Sequence, residues 1–171
     1  MAPVVEAMVR AGIPVQGHIG LTPQTATNLG GFKVQGKSAQ AAQQLIEDAL
    51  ALEAAGVFSL VLEGVPWTLA RSISEALAIP TIGIGAGKHC DGQILVLHDM
   101  LGLSGAEYKF VKRYEDLESK LREAVGAYCR DVREGLFPAQ EHQFEPEADS
   151  PDKQVAAQQN PPARHGRRSA P

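Results

Sequence analysis

The chain has 171 residues, 44% of them hydrophobic, and a formal charge of −4. That is enough apolar material for one core, in a chain too short for two comfortable domains. No basic stripe points to nucleic acid or an anionic membrane, and no run approaches the roughly eighteen apolar residues that suggest a membrane helix. Cys90 and Cys129 lie far apart and form no CxxC pair. This argues against a disulfide framework, and with no basic-then-apolar leader at the start the expectation is a soluble, cytoplasmic protein.

"APVVEAMVRAG" puts Val4, Val5, Met8 and Val9 on one helical face, with Gly12 placed to stop the helix. "IPVQGHIG" (13–20) reads as a short strand running into a loop. Residues 21–37 hold a proline and three glycines and show no period, so a long loop is expected there. Such a loop inside a compact domain is usually functional. A second helix is predicted from Ser38, a good N-cap, to Ala55, with Leu45, Ile46, Ala49 and Leu52 as its buried stripe and Gly56 as its stop.

"VFSLVLE" (57–63) reads as the next strand, and a helix from Pro66 to Leu77 follows. "IPTIGIGAG" gives a third strand and "GQILVLHD" a fourth. A last helix, 115–134, carries Leu117, Leu121, Val125, Tyr128 and Val132 on one stripe and ends at Gly135. From Glu145 onward large apolar residues almost vanish, and disorder is expected; the "RHGRR" near the end reads as a solvated tail. Helices alternating with short apolar strands indicate parallel βα units, either an open doubly wound sheet or part of a (β/α)8 barrel. A whole barrel of that kind takes about 250 residues.

The predicted strands end in His18, in Glu63, in Gly85 and Gly87, and in His98-Asp99. Parallel βα folds bind ligands outside the carboxyl ends of their strands, so these residues would share one rim. "GIGAGK" fails as a dinucleotide fingerprint, because its third glycine would fall at Lys88 and a strand follows. Its glycines read as a tight turn with close backbone approach. His89, Cys90, Asp91, His98 and Asp99 match no zinc spacing. Glu63 closes an apolar run, where an unpartnered carboxylate is costly. By position alone it is either a solvated strand end or a general base.

With those residues laid out, the chain resembles the ketopantoate hydroxymethyltransferase family. The likeness rests on "GIPVQGHIGLTPQ", "GGFKVQGK", "DALALEAAGVFSLVLEGVP", "IPTIGIGAG" and "DGQILVLHDMLGL", with "FVKRY" and "FPAQEHQF" behind them, over residues 3–144. It implies a (β/α)8 barrel of the phosphoenolpyruvate-pyruvate type, cytoplasmic, assembling into homo-oligomers. The implied reaction moves a one-carbon unit from 5,10-methylenetetrahydrofolate to 3-methyl-2-oxobutanoate, giving 2-dehydropantoate on the route to coenzyme A. Magnesium is the implied metal.

The resemblance carries the proton acceptor onto Glu63 and a substrate-pocket histidine onto His18. It also implies that residues 1–144 form only strands five to eight, the C-terminal part of the barrel, with 145–171 a tail. The family's metal-binding carboxylates and substrate lysine lie on earlier strands, so no metal ligand is expected in this chain and the chain alone is expected to be inactive. The implied partners are small molecules, the keto acid and the folate, with no nucleic acid and no membrane. One alternative stays open, a non-catalytic or split-enzyme half-barrel that associates with a partner chain. Another, an aldol-type lyase or mutase of the same superfold, fits "GGFKVQGK" and "GHIGLTPQ" less well.

Overall fold

The computed structural model describes residues 1–22, 33–105 and 107–145. Two compact units divide the chain, Met1–Ser119 and Lys120–Pro171. The first holds helix α1 (Ala2–Arg10), strand β1 (Gln16–Gly20), α2 (Ala39–Ala54), β2 (Ser59–Glu63), α3 (Trp67–Ala76), β3 (Thr81–Ile84), β4 (Gly92–Gln93) and the short α4 (Leu97–Met100). The four strands form one parallel sheet in the order β1-β2-β3-β4, as the alternation of helix and strand predicts. β1 and β4 are its edges. This is the pattern of a partial barrel-type α/β protein.

Local chemistry sets the helix ends. Ser38 caps α2 by accepting from the Ala41 N–H at 3.2 Å. Gly12 and Gly56, with φ of +83° and +92°, turn the chain out of α1 and α2. Proline fixes where two strands begin: Pro14 and Pro80 have no N–H to give a ladder, and β1 and β3 start just past them.

The register pairs Gly17 with Leu60 and Ile19 with Leu62, and pleating turns these four to one face. Helices α2 and α3 cover that face. Leu60 and Leu62 are completely buried among Ala49 of α2 and Leu69, Ala70 and Ile73 of α3. Each such leucine contributes about 1.5–3 kcal/mol on burial. The opposite face presents Gln16, His18, Ser59, Val61 and Glu63, where Gln16 donates to Ser59 Oγ at 2.7 Å. β1 is therefore not buried on both faces as β2 is; its Gly17 and Ile19 are buried, while Gln16 and His18 are exposed.

The fourth strand needs correction: it does not run through "GQILVLHD". Its ladder ends where the Ile94 N–H meets the Gly83 carbonyl at 3.0 Å, because β3 stops at Ile84 and Gly85 turns away at φ +63°. With no partner beyond that point, Val96 caps a helical turn, so His98 and Asp99 sit on α4 and not at a strand end. The final helix, α5, runs Leu117–Glu134, close to the predicted 115–134.

In the second unit Gly135 ends α5 at φ +71°, and Phe137 packs edge-on against Tyr128 with ring centres 5.6 Å apart. A short 3-10 turn, Gln140–His142, follows, with Ala139 N–H donating to His142 Nδ1. The predicted loop at 21–37 has residues 23–32 outside the described residues, and the predicted tail lies outside them from residue 146.

Candidate active site

The parallel register brings Gly20, Glu63 and Ile84 side by side at the carboxyl ends of β1, β2 and β3. Backbone hydrogen bonds lock this rim. Leu21 N–H donates to the Glu63 carbonyl at 2.8 Å, Gly64 N–H to the Ile84 carbonyl at 2.9 Å, and Gln35 N–H to the Gly64 carbonyl at 2.8 Å. Gly20 makes the approach possible. It sits at φ +91°, and a Cβ there would lie 2.2 Å from the Glu63 carbonyl oxygen.

The Glu63 side chain is only 14% exposed, and its Oε2 lies 3.1 Å from Nε2 of His18. That same nitrogen is 3.1 Å from the Leu21 carbonyl oxygen. Two acceptors face Nε2, so it carries a proton and donates to both, whether the ring is neutral or charged. The donor offsets the cost of taking the carboxylate out of water and fixes its orientation.

Glu63 borders a cavity of about 440 Å³. Gly64, Ile84 and Gly85 line it from the strand ends, and Leu21, Lys33 and Val34 from the connection after β1. The segment after β4 closes it with Val96, Asp99, Ser104, Tyr108 and Phe110. A mainly apolar cavity with a few converging polar groups is the usual form of a small-molecule site. Phe110 is pressed against Gly85, where a Cβ would come within 3.0 Å of its ring. Tyr108 and Phe110 stack with centres 5.6 Å apart and planes only 8° from parallel. His18 is absent from the cavity wall; it borders the clefts beside β1 and α2 and meets the cavity through Glu63.

The other singled-out residues scatter. Asp91 accepts from both the N–H and the hydroxyl of buried Thr81, at 2.7 and 2.9 Å, and these donors hold its carboxyl below the usual aspartate range. His89 lies against the Trp67 ring at 5.5 Å. Cys90 packs against the core, and His98 is exposed. Among the described residues no three His, Cys, Asp or Glu side chains come together as metal ligands would. Gly85 and Gly87 do turn the chain at positive φ, but what approaches Gly87 closely is Trp67. Lys33, Ser104, Tyr108 and Phe110 are cavity residues that the sequence reading did not single out.

A parallel βα sheet with a shielded, oriented carboxylate at the strand ends, facing an apolar cavity, is the arrangement of an α/β enzyme that binds its ligand at the rim. The chain belongs to the ketopantoate hydroxymethyltransferase family, whose profile matches residues 1–140. It is 61% identical over 145 residues to the 3-methyl-2-oxobutanoate hydroxymethyltransferase of Heliobacterium modesticaldum, covering 84% of this chain and 52% of that relative. The enzyme of the same name from Nitratidesulfovibrio vulgaris is 62% identical over 143 residues, 83% of this chain and 47% of its own length. That of Pyrobaculum neutrophilum is 57% identical over 141 residues, 82% of this chain and 54% of its own. The chain thus spans about half the length of the curated relatives it matches.

Proposed function

We propose that this chain carries the proton-abstracting part of a 3-methyl-2-oxobutanoate hydroxymethyltransferase, acting in pantothenate and coenzyme A synthesis. The supporting observation is Glu63: a shielded carboxylate at the cavity wall, oriented by His18 Nε2 at 3.1 Å. In this reading Glu63 takes the C3 proton of the keto acid. The carbon left behind forms a bond to the one-carbon unit of 5,10-methylenetetrahydrofolate, water supplies the hydroxyl, and tetrahydrofolate leaves with 2-dehydropantoate. His18 is the positioning residue, since its Nε2–H keeps one carboxylate oxygen engaged and the other available to the substrate.

The four strands are taken as strands five to eight of a (β/α)8 barrel of the phosphoenolpyruvate-pyruvate type, in a cytoplasmic homo-oligomer. Magnesium, which the family resemblance implies, is not matched by a ligand set among the described residues of this chain. The proton transfer to Glu63 is the step that these residues carry.

The test joins residues 1–144 behind the preceding half of the Heliobacterium modesticaldum relative. The chimera is expected to form 2-dehydropantoate and to exchange the C3 proton of the keto acid in deuterated water. Glu63→Gln is expected to lower both by about 10²–10⁴-fold, the usual worth of a positioned base. Near-normal turnover of that variant would refute the assignment. Product formed by the 171-residue chain alone would refute the need for the rest of the barrel.

A further inference from the structure

Among the described residues, the cavity wall carries two carboxylates, Glu63 and Asp99, and one cation, Lys33. Glu63 is engaged by His18, and Asp99 accepts from the Ser104 hydroxyl. Neither carboxylate pairs with Lys33, nor does any other among the described residues. The backbone under this ammonium is nonetheless fixed. The Lys33 carbonyl accepts from the Gln35 side-chain amide at 2.8 Å, and Gln35 N–H donates to the Gly64 carbonyl at 2.8 Å. Lys33 is thereby carried close to a tie on the strand end that bears Glu63.

An unpaired cation decides what such a cavity admits. An anion approaching Glu63 is repelled by both carboxylates, and within a partly shielded site that repulsion needs a cation to offset it. Lys33 is the group on this wall that can do so. The same wall carries Leu21, Val34, Ile84 and Val96, which suit a short branched alkyl group. We infer that Lys33 is a specificity-determining residue, whose ammonium takes the carboxylate of a branched 2-oxo acid. The acid's C3 lies just beyond its keto carbon, so a carboxylate held at Lys33 leaves the alkyl end for Glu63. This rests on the proposed function, in which the substrate is such an acid. Lys33 is separate from the substrate lysine that the resemblance puts on earlier strands.

The experiment is ligand-observed NMR titration of the 171-residue chain, without added metal, with 3-methyl-2-oxobutanoate and with 3-methyl-2-butanone. The ketone has a methyl group where the acid has its carboxylate. The acid is expected to bind about ten- to a hundredfold more tightly, the worth of a hydrogen bond to a charged group. Lys33→Gln should remove that preference while the affinity for the ketone and the thermal midpoint stay unchanged. Lys33→Arg keeps the charge and should retain most of the preference. In the chimera, Lys33→Gln should raise the KM for the keto acid and leave kcat nearly unchanged, as a loss of uniform binding does.

Equal affinity for acid and ketone, no binding of the acid, or a preference that survives Lys33→Gln would each overturn the inference. So would a chimera in which Lys33→Gln lowers kcat and leaves KM alone. Binding needs no chemistry at Glu63, so a chimera indifferent to Glu63→Gln would sink the proposed base and leave the ratio of acid to ketone untouched. A chimera that depends on Glu63, in a chain that does not tell acid from ketone, would do the reverse.

Discussion

Gly20→Ala tests how the base is held. The residue sits at φ +91°, and the new Cβ would lie 2.2 Å from the Glu63 carbonyl oxygen and 2.9 Å from Val65 Cγ1. Since real Cβ contacts essentially never fall below 3.0 Å, the carbonyl must retreat by at least ~0.8 Å. That retreat stretches the 2.8 Å bond from Leu21 N–H, worth about 1 kcal/mol net. Left-handed backbone adds about 1–2 kcal/mol for alanine. The whole loss should come to about 2–3 kcal/mol.

Gly12→Ala is the control, because it sits at φ +83° with nothing within 4 Å of a built Cβ. It should lose only the backbone part, about 1–2 kcal/mol. Urea unfolding followed by the fluorescence of Trp67, the only tryptophan, measures both. In the chimera, a base displaced by about 1 Å should also cost on the order of a hundredfold in turnover, which Gly12→Ala should not. Equal destabilisation by the two substitutions would refute the claim that the close approach at Gly20 sets the position of Glu63.

Two stability predictions accompany this one. Asp91→Asn should destabilise by about 1 kcal/mol at neutral pH, the low end for a hydrogen-bonded carboxylate because Asp91 is exposed. Thr81 favours its ionised form and lowers its pKa from the ordinary 3.8. The contribution is therefore complete above 3.8 and disappears as pH falls through the lowered folded value, so the urea midpoints of native and variant should converge in acid. A gap that stays constant into acid would contradict this. Ser38→Ala removes the α2 cap on Ala41 N–H and should lose about 1 kcal/mol in the same assay, whereas an unchanged midpoint would mean that the cap contributes nothing.

The helices and the first three strands were legible because their signals are local. Ser38, Gly12, Gly56, Pro14 and Pro80 act within a turn of where they stand in the sequence. β4 was not legible in the same way. "QILVL" has strand composition, but a strand also needs a neighbour, and Gly85 removes it just past the pairing of Gly83 with Gln93. The stripe on α5 is visible in the sequence, yet periodicity shows only that an apolar face exists and not what meets it.

At the site, a carboxylate closing an apolar run singled out Glu63, and parallel topology put His18 near it. The sharing of His18 Nε2 between Glu63 and Leu21 depends on the positive φ at Gly20 and on register, which no spacing rule encodes. Ser104 and Asp99 are five residues apart on either side of a tight turn, and nothing in their spacing announces a pair. Phe110 packs as closely as it does against the strand end because Gly85 has no side chain.

The hydrogen bonds from Leu21 to Glu63 and from Gln35 to Gly64 fasten two points of the chain to consecutive carbonyl groups at the end of one strand. What lies between those two points begins and finishes at the same post. These ties use backbone atoms alone, so a substitution at Leu21 can reshape the cavity wall while the end of the strand keeps both of its fastenings.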